Sequence, residues 1–484
     1  MFNLVRDPWI PVFCGKSKLV SLNELFEQLP KIAAFEGTSI EKISLIRLII
    51  CITQAALKGP KTEKQYKECK KDIVSGALAY LKKWEHKFDL YGKNAFLQMP
   101  WLPELKNKSM DYLRLLYPSG DNHTLFNHEA SKESRVLDDS ELALSLLVTQ
   151  EFGVGGLVKI PEFKWLGKKI PPLTSAKATG INNILLTVII GKNLLDTVHN
   201  NLIPIEWLDE SKTMAFGRPV WEYGAIEKDK DEYHEIQGSY LGSLVPLSRG
   251  IVLYSGEIKI TLVEGIPSIG FPAYREPMAA LRTLKISEKK KPKKKETDSP
   301  YLRCSLNKAG WRELESILSL PQVTGINHKE AWAFRHFRDC METHPEITVM
   351  VAGFASFQAR KDAVLEWVVV LPKGFMASIS KYKTFVEKTE ECYKKLGSAL
   401  WRCINAERTN SKPGDKDNTL SMMRARSSSE YWPKMEVLAL KAIEAINEDR
   451  DWESEILKEA RVIYNRTCPD VSMMSKVKGL QLLY

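Results

Sequence analysis

The chain has 484 residues, with 70 Lys and Arg against 60 Asp and Glu, a net charge of +10 that favours a polyanionic partner. Its eight cysteines contain no C-x-x-C pair, which argues against a zinc ribbon or a disulfide scaffold and predicts reduced thiols in a cytoplasmic protein. No apolar run approaches the ~18–20 residues of a membrane span, and the opening Met1-Phe2-Asn3-Leu4-Val5-Arg6-Asp7 lacks the apolar core of a signal peptide.

Residues 4–22 read as a short strand pair, Trp9-Ile10-Pro11-Val12 and Leu19-Val20-Ser21-Leu22, turning at Gly15. Ser21 is placed to cap a helix over 22–29, with Glu24 at the capping-box position. Residues 41–57 predict a helix apolar on nearly every face, hence buried. Lys58-Gly59-Pro60 stops it, and a lysine-rich amphipathic helix is expected over 62–87. Tyr117-Pro118-Ser119-Gly120 begins a polar loop that carries Phe126 and Asn127. There Phe126 is either a stacking platform or a loop anchor. A helix over 139–150 delivers the chain to Phe152-Gly153-Val154-Gly155-Gly156-Leu157-Val158-Lys159.

Three glycines at Gly153, Gly155 and Gly156 cannot be helix or strand interior. They suit a loop needing positive φ or a very close approach by another molecule. From Phe152 to Lys192 there are six lysines, Lys159 among them, against one acid, Glu162, which suits a phosphate backbone as well as a plain solvated turn. Nucleotide fingerprints fail: Ile10 stands where a phosphate loop ending at Gly15-Lys16-Ser17 needs glycine, and Val158 where a dinucleotide motif needs its third.

Ile184–Ile190 predicts a buried strand, and Ser255-Gly256 a hairpin between 251–254 and 258–263. Lys289–Lys295 is a lysine-rich surface segment, with helices expected near 308–319 and 328–342. Ile347–Phe354 and Val364–Leu371 read as strands of a hairpin with a long tip, Ala355–Asp362, carrying Phe357 and Gln358. Such a tip suits groove entry, since glutamine both donates and accepts at base edges. After Pro372-Lys373-Gly374 the pattern is helical: 376–404, 417–446, 450–466 and 469–482. Asp449 is the expected cap of the third, and Pro433 should kink or restart the second. Residues 373–434 carry 13 basic and 7 acidic residues, whereas 435–459 carry 3 and 8. The expected architecture is α+β: a mixed domain over 1–372, then a four-helix bundle over 373–484.

No hydrolase elbow, H-E-x-x-H or deaminase signature is present. His328, His336 and His344 recur every eight residues and share no helix face. The acids Glu448, Asp449, Asp451 and Glu453 suit a helix N-terminus better than a magnesium site. No catalysis is expected; a metal-dependent nuclease or a general RNA-binding scaffold are the alternatives.

Taken in order, Asn3-Leu4-x-x-Asp7-x-Trp9-Ile10-Pro11-Val12, Phe126-Asn127, the glycine loop, Gly353-Phe354-x-x-x-Gln358-Ala359 and the closing helices resemble the large-subunit (CasA) family of the type I-E CRISPR Cascade surveillance complex. The resemblance covers essentially the whole chain. It implies a non-catalytic reader of the protospacer-adjacent motif (PAM) of double-stranded target DNA, working from the minor groove. On that basis Gly153, Gly155, Gly156 and Lys159 lie against the groove, Gln358 wedges under the PAM pair beside Phe357, and Lys228 or Lys230 touches the PAM. It implies that Phe126 and Asn127 contact the 5′ end of the guide RNA. Lys394, Arg402, Arg424 and Arg426 are the candidates for holding the displaced strand. The implied partners are guide RNA, target DNA, the 5′-handle-capping, backbone and small subunits, and a recruited helicase–nuclease. No cysteine pair lies near 126–136, so neither zinc nor any cofactor is expected.

Overall fold

In the computed structural model the first helix opens on a reciprocal capping box: Ser21 Oγ accepts the Glu24 N–H, and the Glu24 carboxylate accepts the Ser21 N–H. The structure describes residues 2–116, 137–156, 158, 160–165, 168–172, 175–211, 214–226, 230–271, 273–281, 300–305, 308–318, 330–357, 360–407, 413–468 and 471–483.

β1 (Ile10–Phe13) and β2 (Ser17–Val20) pair antiparallel across Gly15, whose φ of 72° favours glycine. After α1 (Leu22–Gln28), β3 (Ala34–Phe35) joins the other edge of β1. α2 (Ser39–Leu57) is buried around most of its circumference, as its apolar sequence requires. The expected helix over 62–87 is broken: α3 (Glu63–Glu68) and α4 (Ile73–Trp84) flank a 3₁₀ turn at Cys69–Asp72. That turn contains no fully buried residue; only Cys69 packs, half-buried, against the core.

β4 (Lys108–Ser109) precedes α5 (Asp139–Phe152), which Asp138 caps by accepting the Glu141 N–H. β5 (Phe163–Trp165) and β6 (Lys168–Ile170) form a small hairpin. β7 (Leu186–Ile190) is followed by α6 (Leu194–Asn200), α7 (Ile205–Ser211), α8 (Asp231–Gly238) and α9 (Tyr240–Leu244). β8 (Arg249–Val252) and β9 (Lys259–Glu264) pair with β4 in the order β4-β9-β8. α10 (Leu314–Leu318) is short, and the expected helix near 328–342 is instead a 3₁₀ segment, Trp332–Cys340.

β10 (Ile347–Phe357) and β11 (Arg360–Leu371) extend further than expected, so the strands leave only residues 358 and 359 between them. The sequence suggested a long tip over 355–362, but the strand conformation continues through Phe357 and resumes at Arg360. The sheet order is β11-β10-β7, with Thr348 opposite Ile190 and Ala352 opposite Leu186.

α11 (Ile379–Glu407), α12 (Pro413–Glu444), α13 (Trp452–Thr467) and α14 (Met473–Leu480) pack as a bundle in which α11 touches the other three. α12 runs through Pro433 rather than restarting there. Asp451, not Asp449, caps α13, accepting the Ser454 N–H at 3.2 Å.

The chain divides into two compact units. One holds Met1–Gly310, Ser319–His336 and Thr348–Val368; the other holds Trp311–Leu318, Phe337–Ile347 and Val369–Tyr484. Trp311–Leu318 belongs with the bundle for visible reasons. Tyr382 donates to the Trp311 carbonyl at 3.0 Å, and the Arg312 guanidinium lies 3.8 Å from the centroid of the Trp432 ring.

In the first unit, Arg47 of α2 is fully buried between two carboxylates, Glu151 at 3.0 Å and Glu276 at 2.8 Å. Burial alone would lower its pKa, but Glu276 and Glu151 more than offset this and hold it charged. Burial pushes the Glu151 carboxyl up, against the pull of Arg47. The triad locks α2 to the last turn of α5, where the glycine stretch begins.

Candidate nucleic-acid interface

The glycine stretch starts at the C-terminus of α5, where carbonyls lose their helical partners. Two of them find side-chain substitutes, and Thr149 keeps a helical partner. Gly153 N donates to Thr149 O at 3.0 Å, Ser248 Oγ to Gln150 O at 2.5 Å, and Asn182 Nδ2 to Phe152 O at 3.0 Å. The Gln150 side chain meanwhile accepts the Arg249 N–H and donates to the Arg249 carbonyl, both at 2.8 Å. It acts as a one-residue strand beside the start of β8.

From there the Arg249 guanidinium reaches back across the loop. Nη2 donates to the carbonyls of Gly153, Val154 and Lys177 at 3.2, 3.0 and 2.8 Å, and Nη1 to Ser248 at 2.9 Å. Burial lowers its pKa. Gly156 pairs with Ala176 through two backbone hydrogen bonds of 3.1 and 2.9 Å, and Thr179 N donates to Gly153 O at 3.1 Å. The glycine loop is therefore one layer of a two-layer element, with 175–179 as the other and Arg249 as the rivet.

The glycines have a reason within the fold itself, and it is not a positive φ. Neither Gly153 nor Gly155 has a positive φ. A Cβ on Gly155 would sit 2.9 Å from Ala178 N and 3.3 Å from Ala176 O. A Cβ on Gly153 would sit 2.7 Å from Thr149 O and 3.3 Å from the Arg249 guanidinium. The close approach is made by the chain's own backbone. Outward, the element offers exposed Lys177, and nearby Lys164 is exposed while Lys169 pairs with Glu162 at 3.0 Å.

The hairpin is tied to the same element by two asparagines. Asn182 Oδ1 accepts from Ser356 Oγ at 2.5 Å, while its Nδ2 holds Phe152 O. Asn183, in a left-handed conformation at φ 63°, accepts the Ser356 N–H at 2.7 Å and donates its own N–H to Phe354 O at 3.1 Å. Gly353 is required where β10 passes the chain: its Cβ would lie 2.5 Å from Ile184 O. The end of α5 and the last residues of β10 thus share one asparagine, although about two hundred residues separate them.

Asn182, Asn183, Arg249 and Ser356 carry this construction, and the sequence reading singled out none of them. Only the Asn182-Asn183 pair ahead of the 184–190 run offered a hint, as turn chemistry before a strand. Among the expected site residues, Gly153, Gly155 and Gly156 are brought beside the hairpin. Phe357 closes β10. Lys230 is exposed at the N-terminal cap of α8. Lys394, Arg402, Arg424 and Arg426 are all exposed on α11 and α12. Phe126, Asn127, Lys159, Lys228, Gln358, His328 and the Lys289–Lys295 segment lie outside the described residues.

The histidines serve the backbone. His336 Nε2 donates to Leu202 O at 2.9 Å and its ring stacks on Tyr66 at 3.5 Å. His344 Nδ1 donates to Pro345 O at 2.7 Å, and its Nε2 accepts the Met376 N–H at 3.1 Å. In the acidic cluster, Asp451 caps α13 and Glu453 pairs with Lys388. Among the described residues no group of three or more His, Cys, Asp or Glu is placed to hold a metal ion, and no helix is long and apolar enough to cross a membrane.

Fold and site together define an α+β protein that closes in a helical bundle, with a riveted glycine loop and a hairpin built as one element. The profile of the family described as CRISPR-associated protein Cse1 matches residues 3–469, and the chain belongs to that family. CRISPR-associated protein CasA/Cse1 of Thermus thermophilus is 26% identical over 423 residues, covering 82% of this chain and 76% of that protein. The crystal structure of Thermus thermophilus CasA superposes with a TM-score of 0.75 at 19% identity, covering 100% of this chain and 98% of that one. A chain of a CRISPR RNA-guided surveillance complex superposes with a TM-score of 0.74 at 15% identity, covering 100% and 98%.

Proposed function

We propose that this chain is the large subunit of an RNA-guided CRISPR surveillance complex. In that role it reads the PAM of a DNA duplex from the minor groove and starts unwinding with Gln358. The bundle then holds the displaced strand, and the assembly helps recruit a helicase–nuclease. The chain itself contributes binding rather than catalysis. Guide RNA, the 5′-handle-capping subunit, the backbone subunits and the small subunits are its partners.

The observation that carries this reading is the asparagine tie between Phe152 and Ser356. A groove-reading loop and a wedge must hold fixed register, because inserting a side chain between base steps costs a few kcal/mol of unstacking. A loop and a hairpin joined through Asn182 deliver both at once. Minor-groove readout is degenerate, so backbone-rich contacts suit a permissive motif. Guide pairing nearly balances the duplex it replaces, so a small local opening decides the outcome.

The test is R-loop formation by the assembled complex on duplexes with good and bad PAMs, followed by permanganate reactivity. Gln358→Ala should slow opening of an intact duplex and be rescued by a pre-opened bubble beside the PAM. Equal opening of the intact duplex by variant and parent would remove the wedge from the reading. A complex that opens good-PAM and bad-PAM targets alike would remove PAM reading itself.

A further inference from the structure

Trp401 is 53% exposed on α11. A surface indole forgoes a large burial gain, so its position calls for a physical reason. From Lys394 to Ala406 the helix carries Lys394, Lys395 and Arg402 and no acidic residue. Lys394 precedes Trp401 by seven residues, two helical turns, so both fall nearly in line on one face, ~10 Å apart along the axis. Arg402 follows directly. Lys395 is occupied by Glu391 at 3.4 Å. Lys394 and Arg402 are exposed and, among the described residues, without an ion-pair partner.

Gly397 lies one turn before Trp401. Nothing stands within 4 Å of where its Cβ would be. Glycine inside a helix is unfavourable relative to alanine, and here neither crowding nor a left-handed φ requires it. Helical side chains lean back over the preceding turn. The helix surface at Gly397 is therefore bare, a shallow notch with Lys394 one turn before it and Arg402 next to Trp401 in the chain.

We propose that Trp401, the notch at Gly397 and the cations Lys394 and Arg402 form a stacking station for one base of single-stranded DNA. This rests on the reading that the bundle holds the displaced strand, and it names the contact. Every base has a π-face, so the station takes any sequence, while the cations take the flanking phosphates. A stretch of α11 without acids on either side of the indole favours a polyanion over a protein surface.

The full chain is titrated with fluorescently labelled oligothymidine and with a duplex of equal length, over a salt series. Trp401→Ala should weaken single-strand binding about fivefold or more, Trp401→Phe should keep most of it, and duplex binding should change less than about twofold. Lys394→Gln with Arg402→Gln should lower the single-strand salt slope by about 0.7 per cation, which Trp401→Ala should leave intact. Unchanged single-strand binding by Trp401→Ala overturns the station. Equal losses on single strand and duplex also overturn it, because a charge field rather than stacking would then be at work. If Trp401→Ala keeps its single-strand affinity but loses another subunit on purification, the face is a protein dock and the proposal fails. No guide RNA is needed, so a failure of PAM reading appears separately, in the assembled complex.

Discussion

The Ser356 hydroxyl donates to the side-chain oxygen of Asn182 at 2.5 Å, in the same amide that holds the Phe152 carbonyl at 3.0 Å. One side chain therefore sets the distance between the end of α5 and the tip end of β10. Asn182→Ala strands two buried or half-buried groups, each worth ~1–3 kcal/mol when left unsatisfied. We expect a lower urea midpoint and slower PAM-dependent opening in the assembled complex. A double-mutant cycle with Ser356→Ala should show coupling of about 0.5–3 kcal/mol. Additive single effects would mean the tie is incidental.

Gly155→Val should cost stability before it costs recognition. Its Cβ would press on Ala178 N at 2.9 Å, and backbone yields poorly. Arg249→Met removes the donor to the Gly153, Val154 and Lys177 carbonyls and should loosen the same two layers without a clash. Both variants should gain protease cleavage within 153–180. If Gly155→Val stays as protease-resistant as the parent, the two layers are less tightly closed than the geometry requires.

Stability should fall with acid in a His336-dependent way. Burial, opposed by the Leu202 hydrogen bond and aided by His199, Arg335 and Lys67, lowers the His336 pKa to about 3. His199, on the other face of Tyr66, is also lowered, chiefly by burial. Asp196, paired with Lys70 at 2.6 Å, faces His199 from α6. The His336 imidazole stays neutral in the folded chain down to about pH 3, whereas in the unfolded chain it takes up a proton below about 6.5. Its contribution is therefore complete above pH 6.5 and is lost as pH falls towards 3; His199 acts in the same direction. His336→Phe should be less stable at pH 8, since the bond to Leu202 is gone, yet lose less between pH 6.5 and 4. Parallel urea-midpoint curves for variant and parent would show that His336 takes no part.

Two bundle glycines should respond in opposite directions to alanine. Gly397→Ala meets open space and should stabilise by about 0.5–1 kcal/mol. Gly479→Ala would place its Cβ against Tyr464 Oη and at 2.6 Å from Ala399 O, forcing α14 off α11. It should destabilise, and Tyr464 would no longer hold its 3.1 Å bond to Lys476 O. The readout is the chemical-denaturation midpoint of each variant. A destabilised Gly397→Ala would mean that its notch is filled by something else.

Local chemistry carried much of the sequence reading. The Ser21–Glu24 box, the buried α2, the strand ahead of α6, the β10–β11 pair and the closing helices all follow from periodicity, capping and turn residues acting within a few positions. The glycine stretch was also legible as a place of close approach. What approaches it was not. That Gly155 packs on Ala178 depends on how the chain folds back over itself, and no local signal encodes that contact. Likewise Asn182 reads as a turn residue, and Arg249 lies ahead of the strand expected over 251–254. Only the tertiary arrangement aims one at Phe152 and Ser356 and the other at three carbonyls across the glycine loop. Trp311–Leu318 shows the same principle: its helical pattern was visible, but its membership of the bundle unit depends on Trp432 and Tyr382, more than seventy residues away. Periodicity and capping are short-range and survive in a sequence read alone. Partner choice for a backbone carbonyl or a buried guanidinium is decided by which segments packing brings within about 3 Å of each other.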